Sequence, residues 1–599
     1  METKRLSKER TKQKFSKIIN NNFFILRIIW KVSKCRFLLK LLITVISALL
    51  PSINILITRH VIALIESGIE KDMSNFRQIL GYVVALMCFQ VVPKIFSVWN
   101  ATLIEPIFTS RINRYMNEMF IDKVREFEYS NFENPVFYDK YSRALGQVDS
   151  ITHVVFNTFF GLLSGLISMI SLIALIVSMD WIVILFALFC VMANFVQSLI
   201  LSKLNYDTQV ALTPVTRQHS YIKRILYMPD YAKDIKCSDI VATGKRYYSH
   251  SLKTIIAILR QHGKRVALIN TIITLLSSVS SAAMMLLLFR RLWIGVYGIA
   301  NFTALTSSTT QFESVLGTIL STITSLYSNS MYIDDLKFVY NYEYEPDGRT
   351  TVELDTGRPC KVEVRNLYYR YPNAKSYALN DVSFTIMPGE KVSIVGLNGS
   401  GKTTLVKLLL GLYEPEKGDI FINDINIRDY AKEDLQKHIG IMFQDHHVYA
   451  YTIKENIAFE DEIKDKTIDT LKGLNMYDKI NKYTYGFDTF LSKEFYDSGV
   501  NFSGGENQKI CIARAINQTA PMYILDEPSS ALDLVSENRM NEVLARLVDK
   551  TMIIISHRLS TVIISYKLLV LQNVTVVEYG NHTSLMRTGG VYAELFKGQ

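Results

Sequence analysis

The residues best placed to do chemistry in this 599-residue chain begin at Gly396. An apolar run, Lys391–Val395, leads into Gly396-Leu-Asn398-Gly399-Ser400-Gly401-Lys402-Thr403, which fits GxxxxGK[ST] and then opens a helix at Lys402 and Thr404. Glycines at these spacings let backbone N–H groups wrap a row of phosphates, and the helix N-terminus adds partial positive charge. Lys402 then reaches the β- and γ-phosphates, and the Thr403 hydroxyl ligates Mg²⁺. A second apolar run, Met522-Tyr-Ile-Leu, ends in Asp526-Glu527. A buried strand delivers such a pair to the same sheet edge as the phosphate loop. Asp526 would hold Mg²⁺, directly or through water, and Glu527 would polarise an attacking water as general base. A third segment, Asn501-Phe-Ser503-Gly504-Gly505-Glu-Asn-Gln508, precedes a helix whose N-terminus, with the Ser503 hydroxyl, offers donors to a γ-phosphate.

These three segments, with Ser530–Asp533 (SALD) and Ser556–Val562 (SHRLSTV), together resemble an ABC transporter nucleotide-binding domain, with all five in the family's order and separation. The resemblance implies roles for four further residues. Tyr371 falls where an aromatic stacks on adenine. Gln444 falls at the Q-loop glutamine that contacts Mg²⁺. His557 matches the switch histidine at the γ-phosphate, and Asp533 the aspartate that acts across a dimer. It also implies that each ATP is clamped between one subunit's phosphate loop and the other's SGGxxQ segment, Gln508 included. One such domain per chain means a half-transporter that pairs with a second subunit. The nucleotide-site residues named are all present, which favours a homodimer; a heterodimer with a related subunit is the alternative. Phe502, Glu506-Asn507 and Lys509 depart from the family's commoner residues, and none of these changes removes a phosphate donor.

The elements that must position these residues form two halves. From Lys361 onward, β-like runs alternate with helical ones, the pattern of an α/β P-loop domain. Before it lie six apolar segments near 37–64, 79–107, 154–179, 181–204, 266–288 and 293–326. Each is about 20 residues or longer, enough to span a bilayer. The fold class is therefore a multidomain membrane protein: a six-helix all-α transmembrane domain, similar to ABC exporters, followed by the nucleotide-binding domain. The boundaries fall at 1–36 for a basic, amphipathic cytoplasmic segment, 37–340 for the spans, 341–358 for a linker and 359–599 for the ATPase. Seven Lys and Arg residues between Lys4 and Lys17 place the N-terminus in the cytoplasm of a plasma-membrane protein. The long connections between spans 2–3 and 4–5 then also lie inside, turning back near Tyr129–Tyr138 and Tyr227–Asp239, where the family has its coupling helices.

Net charge is +10, with mean hydropathy +0.15. The basic tail accounts for much of the charge excess and meets anionic lipid; no nucleic-acid partner is expected. Six scattered cysteines indicate neither a disulfide framework nor a metal site. Charges inside spans are costly and call for a role. Lys94 and Glu105 lie in span 2 and Glu313 in span 6; Lys94 and Glu313 are expected to line a central cavity. About 36 residues precede span 1, so no cargo-trimming protease domain is expected there. The neighbourhood of NFSGGENQK is similar to bacterial exporters of ribosomal peptides. Peptide is accordingly the first-ranked cargo, ahead of a hydrophobic drug or lipid. Siderophore import and an ATP-gated or regulatory membrane protein are the remaining readings.

Overall fold

A computed structural model of the chain describes residues 15–67, 73–228, 231–343, 352–372, 374–459, 461–556, 558, 562 and 564–597. Two compact units emerge, and the cut is not a single point in sequence. Residues up to Phe127 join Pro135–Glu343 in the first, whereas Glu128–Asn134 belongs with Tyr344–Gln599 in the second.

The first unit is all helix: α1 (Phe15–Val32), α2 (Lys34–Ser67), α3 (Met73–Trp99), α4 (Glu105–Arg125), α6 (Pro135–Met179), α7 (Trp181–Tyr227), α8 (Ala232–Cys237), α9 (Ile240–Trp293) and α10 (Ile299–Tyr340). The short α5 (Tyr129–Glu133) belongs to the second unit. Its break from α6 is written locally. Asn134 is extended, as a residue before proline prefers, and Pro135 opens α6, where a missing N–H costs nothing. Asp180 separates α6 from α7; it is extended, and its side chain accepts from Ile182 N, capping α7.

Among the described residues, four stretches are long and apolar enough on their own to cross a membrane: Lys34–Glu66, Phe76–Arg125, Pro135–Met179 and Ile240–Trp293. The expected spans at 181–204 and 293–326 fall largely in α7 and α10 and are not among these four, so the count of six rests on sequence pattern. For α10 the reason is chemical. It is rich in Ser and Thr, and hydroxyls such as Thr306, Ser308, Thr309 and Thr322 donate to the carbonyl four residues back. This lowers hydropathy while leaving no donor bare.

The bundle closes on small residues. A Cβ placed on Gly165 of α6 would lie 2.6 Å from Ile319 Cγ1 of α10. The two helices therefore approach as closely as a glycine allows. Phe156 and Phe160 of α6 and Ile333 of α10 are fully or almost fully buried nearby in sequence. α1 is bolted to the same helix: Asn21 Nδ2 donates to Ser330 Oγ at 3.0 Å and to Asp334 Oδ1 at 2.8 Å.

The second unit holds two sheets. An antiparallel one runs β2-β1-β4-β5 and contains β1 (Val362–Tyr369), β2 (Leu379–Ile386), β4 (Lys417–Ile422) and β5 (Ile425–Asn426). The larger runs β10-β9-β3-β8-β7-β6, from β3 (Lys391–Gly396), β6 (Ile439–Met442), β7 (Met522–Asp526), β8 (Thr551–Ile555), β9 (Lys567–Gln572) and β10 (Thr575–Gly580). All its pairs are parallel except β9–β10. Strands β3, β7 and β8 are buried along their whole length, which is why they read as unbroken apolar runs.

Gly165→Ala is expected to destabilise the membrane unit by about 1–3 kcal/mol through overpacking. Pairing it with Ile319→Ala, which removes the clashing Cγ1, should recover part of the loss in thermal unfolding of the purified protein. A single variant as stable as the parent would refute the close approach.

Candidate functional site

The parallel register of the large sheet assembles the site. Ile394 of β3 lies opposite Ile555 of β8, and Ile555 opposite Asp526 of β7. The loops leaving the C-terminal ends of β3 and β7 therefore meet across β8. The β3 loop needs its glycines: Gly399 has φ +78° and Gly401 φ +100°, and a Cβ on Gly401 would sit 2.6 Å from the Ala378 carbonyl oxygen. It delivers the chain into α11 (Lys402–Leu409).

Lys402 is buried, and its ammonium donates to the carbonyls of Gly396 at 2.8 Å and Leu397 at 3.0 Å. Burial holds its pKa below the ordinary lysine value, offset by the charges of Glu527 and Asp526. Asp526 is 1% exposed. Thr403 Oγ1 donates to its Oδ2 at 3.2 Å, while Oδ1 is buried with no partner among the described residues. Burial, aided by the neighbouring Glu527 charge, pushes the carboxyl up to about 6. An orphaned carboxylate oxygen beside a threonine hydroxyl is a donor set suited to a hard divalent cation. Glu527 stands at φ +50°, a conformation a non-glycine residue adopts only where surrounding structure enforces it. Here its N–H donates to Ile555 O at 2.9 Å, and its carboxylate accepts from Gln444 Nε2 at 3.2 Å.

These groups open onto a cleft of about 550 Å³ whose lining includes Tyr371, Tyr377, Lys402, Thr403, Gln444 and Glu527. Asn398, Gly399, Gly401 and Thr404 line it as well. Tyr371 is fixed at one edge: its hydroxyl hydrogen-bonds Thr404 Oγ1 at 3.0 Å and its ring meets Tyr413 edge-on. Ser400 lies just beneath, with a buried hydroxyl that has no partner.

Ser503, Gly504 and Gly505 are not part of that lining. They start α12 (Gly504–Asn517), where Ser503 and Glu506 form a reciprocal capping box. Lys479, on a short helix over Tyr477–Asn481, is ion-paired to Glu506 at 2.5 Å. Gln508, expected among the nucleotide contacts, is fully buried instead. Its Nε2 donates to Glu527 O and Ser530 Oγ, and its Oε1 accepts from Ala531 N. It therefore braces the loop after β7. Asp533 caps the next helix, accepting from Ser536 N at 3.0 Å. His557 lies outside the described residues. Its neighbour Arg558 pairs with the buried Glu537 and donates to Leu532 O, clamping the same loop. The roles of Lys479, Glu537 and Arg558 escaped the sequence reading because each acts through a partner remote in sequence; Tyr377, which lines the cleft, carried no motif signal.

In the membrane unit, Lys94 is exposed, and Glu313 is half-buried and accepts from Ser281 Oγ at 2.9 Å. Within the second unit, α5 is held by Tyr129 edge-on to Tyr413 and by Glu128–Lys432 and Glu133–Lys407 ion pairs of 3.6 and 3.5 Å.

Residues 379–530 match the family model described as ABC transporter. The subtilin transport ATP-binding protein SpaT of Bacillus subtilis is 27% identical over 578 residues, 95% of this chain and 92% of its own length. The chain carries an ABC transporter domain. An ATP-dependent lipid A-core flippase of Aliivibrio fischeri is 36% identical over 283 residues, 46% of this chain and 48% of its own. A solved bacterial Atm1-family ABC exporter with ATP bound superposes with a TM-score of 0.79 at 20% identity, covering 94% of this chain and 98% of that one. The chain is thus a membrane protein whose ABC transporter domain hydrolyses ATP to drive transport.

Because the Asp526 pKa is raised by the fold, the associated stability is fully present below the ordinary carboxyl pKa and is lost as pH rises through about 6. Asp526→Asn is therefore expected to stabilise the nucleotide-free protein at pH 7 by about 1–3 kcal/mol. It should flatten the pH dependence of unfolding between about pH 4 and 6. Differential scanning calorimetry across that range decides; unchanged pH dependence would refute the buried charge.

Proposed function

We propose that this chain exports a peptide, driven by ATP hydrolysis and working as a dimer of two copies. The observation that carries the reading is the extent of similarity. The subtilin transporter resembles this chain along 95% of its length, whereas the flippase match, though higher in identity, covers 46%. A lipid cargo is the second reading, favoured by that flippase.

In this reading Tyr371, assisted by Tyr377, stacks on adenine. The backbone of Gly396–Gly401 and the Lys402 ammonium take the phosphates, for which the carbonyls of Gly396 and Leu397 hold that ammonium ready. Mg²⁺, when bound, neutralises phosphate charge; Thr403, Asp526 and Gln444 are the residues that would hold it. Glu527 orients the attacking water and accepts its proton, with Gln444 fixing the carboxylate. His557 serves the γ-phosphate. Ser503–Gly505 do not line the cleft of their own chain, and in this reading they serve the second copy's ATP, with Asp533 acting across the same interface. Domain closure is passed to the spans through α5 and α8, which stand at the two coupling positions. The N-terminus and ATPase face the cytoplasm of a plasma-membrane protein, and Lys94 and Glu313 line the substrate path.

Glu527→Gln should lower ATP turnover in lipid-embedded protein by about a hundredfold or more while leaving ATP binding within a few-fold. Added peptide cargo should stimulate the parent's ATPase and accumulate in the lumen of inverted vesicles only with Glu527 intact. Turnover unaffected by the substitution would overturn the assigned base. Stimulation by lipid and by no peptide tested would move the cargo to the second reading.

A further inference from the structure

One cluster in the membrane unit is left unexplained by nucleotide chemistry. It forms where α2, α4 and α6 meet, around the carboxylate of Glu105. Arg36 Nη2 stands 3.6 Å and Lys40 Nζ 3.8 Å from Glu105 Oε2, and His153 Nε2 is 3.1 Å from Oε1. Asn100 and Asn157 donate to the same carboxylate at 3.1 and 3.3 Å. Asn100 also accepts from Arg36 Nη2 at 2.6 Å, and Asn157 accepts from Lys40 at 3.5 Å while approaching His153 Nε2 at 2.9 Å. The backbone is shaped for this meeting. Pro106 cannot donate to the turn before it, and Asn100–Ile104 form a π-helical turn, the kind of irregularity that recurs at functional sites.

The charges do not balance. Arg36 and Lys40 bring two permanent positive charges against the single carboxylate of Glu105, and His153 adds a third when protonated. Arg36 is 7% exposed, and among the described residues neither its Nε nor its Nη1 has a hydrogen-bond partner. The ring of Phe108, 5.6 Å away, gives the guanidinium a π face but no acceptor oxygen. Uncompensated cations in apolar surroundings are strongly unfavourable, so the site is electrostatically incomplete by one anion.

We propose that Arg36, Lys40 and His153 form a binding site for one phosphate-type oxyanion, the headgroup of an anionic phospholipid. The place suits that source. Arg36 lies in the first turn of α2, where the apolar stretch Lys34–Glu66 begins. Just beyond it Leu38, Leu39 and Leu42 are exposed, as are Phe23 and Trp30 on α1, an apolar surface for acyl chains beside a cationic socket. His153 is the exposed member and marks the open side. A free inorganic phosphate carries the same chemistry without the chains. This inference is independent of the cargo assigned above.

The test uses the purified full-length protein in vesicles of phosphatidylcholine alone or mixed with phosphatidylglycerol, followed by native mass spectrometry of the lipid retained. The parent should retain phosphatidylglycerol over phosphatidylcholine, and Arg36→Gln and Lys40→Gln should each weaken this by about tenfold. Glu105→Gln, which keeps an acceptor oxygen for one of the two asparagines and removes the competing charge, should retain the anionic lipid at least as well as the parent. Equal retention of both lipids by the parent overturns the site. So does a loss in Glu105→Gln as large as in Arg36→Gln, which is what a purely structural ion cluster gives. If Arg36→Gln does not fold, the partly exposed Lys40 supplies the deciding variant. Displacement of phosphatidylglycerol by millimolar inorganic phosphate in the parent, and not in Lys40→Gln, supports the same site with the free ion as its occupant.

Discussion

The ATPase unit is arranged around a carboxylate that its own fold keeps from being comfortably charged. Asp526 is almost wholly buried at the end of a strand buried on both faces; one oxygen accepts from Thr403, and the other has no partner among the described residues. Burial of this kind favours the protonated acid. A hard divalent cation, if held there beside a polyphosphate as proposed, would reverse that preference, because it would supply the opposite charge the site lacks. Much of the neighbouring geometry serves to hold the conflict in place. Parallel pairing with β8 aligns β3 and β7, Gln508 and Arg558 brace the loop that follows, and Glu527 is kept at a positive φ by its bond to Ile555. Binding free energy can therefore be drawn from relief of a pre-set electrostatic strain.

What was legible in the sequence is what is written contiguously. The Gly396–Thr403 loop, the strand ending in Asp526-Glu527 and the helix opening after Ser503 each have their physical reason within a few residues, so type and spacing suffice. Both halves of the fold were readable for the same reason, since unbroken apolar runs mark buried strands and spans alike. Long-range partners were not readable. Nothing near Gln508 announces that its amide will be consumed by Glu527, Ser530 and Ala531, and nothing near Arg558 points to Glu537. α10 was placed among the spans at 293–326, although its hydroxyls, satisfied on their own helix, keep it out of the four strongly apolar stretches. The assignment of residues 128–134 to the ATPase unit was equally invisible, because it depends on Tyr129 and Glu133 finding Tyr413 and Lys407 some 270 positions later, Lys407 being 274 residues from Glu133.

The membrane unit follows a different economy. With lipid outside, apolar side chains gain little by meeting each other, so helices associate through close packing and polar bonds. Gly165 against Ile319, Asn21 against Ser330 and Asp334, and Arg291 against Asp180 are instances of each. The last pair joins the α6–α7 corner to the end of α9, so the bundle is tied by charge as well as by shape.

The departure from the commoner family residues at Glu506 has its explanation in a neighbour. A carboxylate at the third position of a helix caps the first turn well, and here it accepts from Ser503 N at 3.0 Å. If that helix N-terminus receives a γ-phosphate, as proposed, the same negative charge beside it would repel the ligand. Lys479 removes the contradiction: its ammonium pairs with Glu506 and also lies 5.3 Å from the Phe502 ring. The cap is retained, the net charge presented to the phosphate is close to neutral, and the Ser503 turn is held by two elements instead of one. Glu506, Lys479 and Phe502 thus act as one unit, in which replacing the acid alone would leave a cation unpaired and replacing the lysine alone would leave an anion facing the nucleotide.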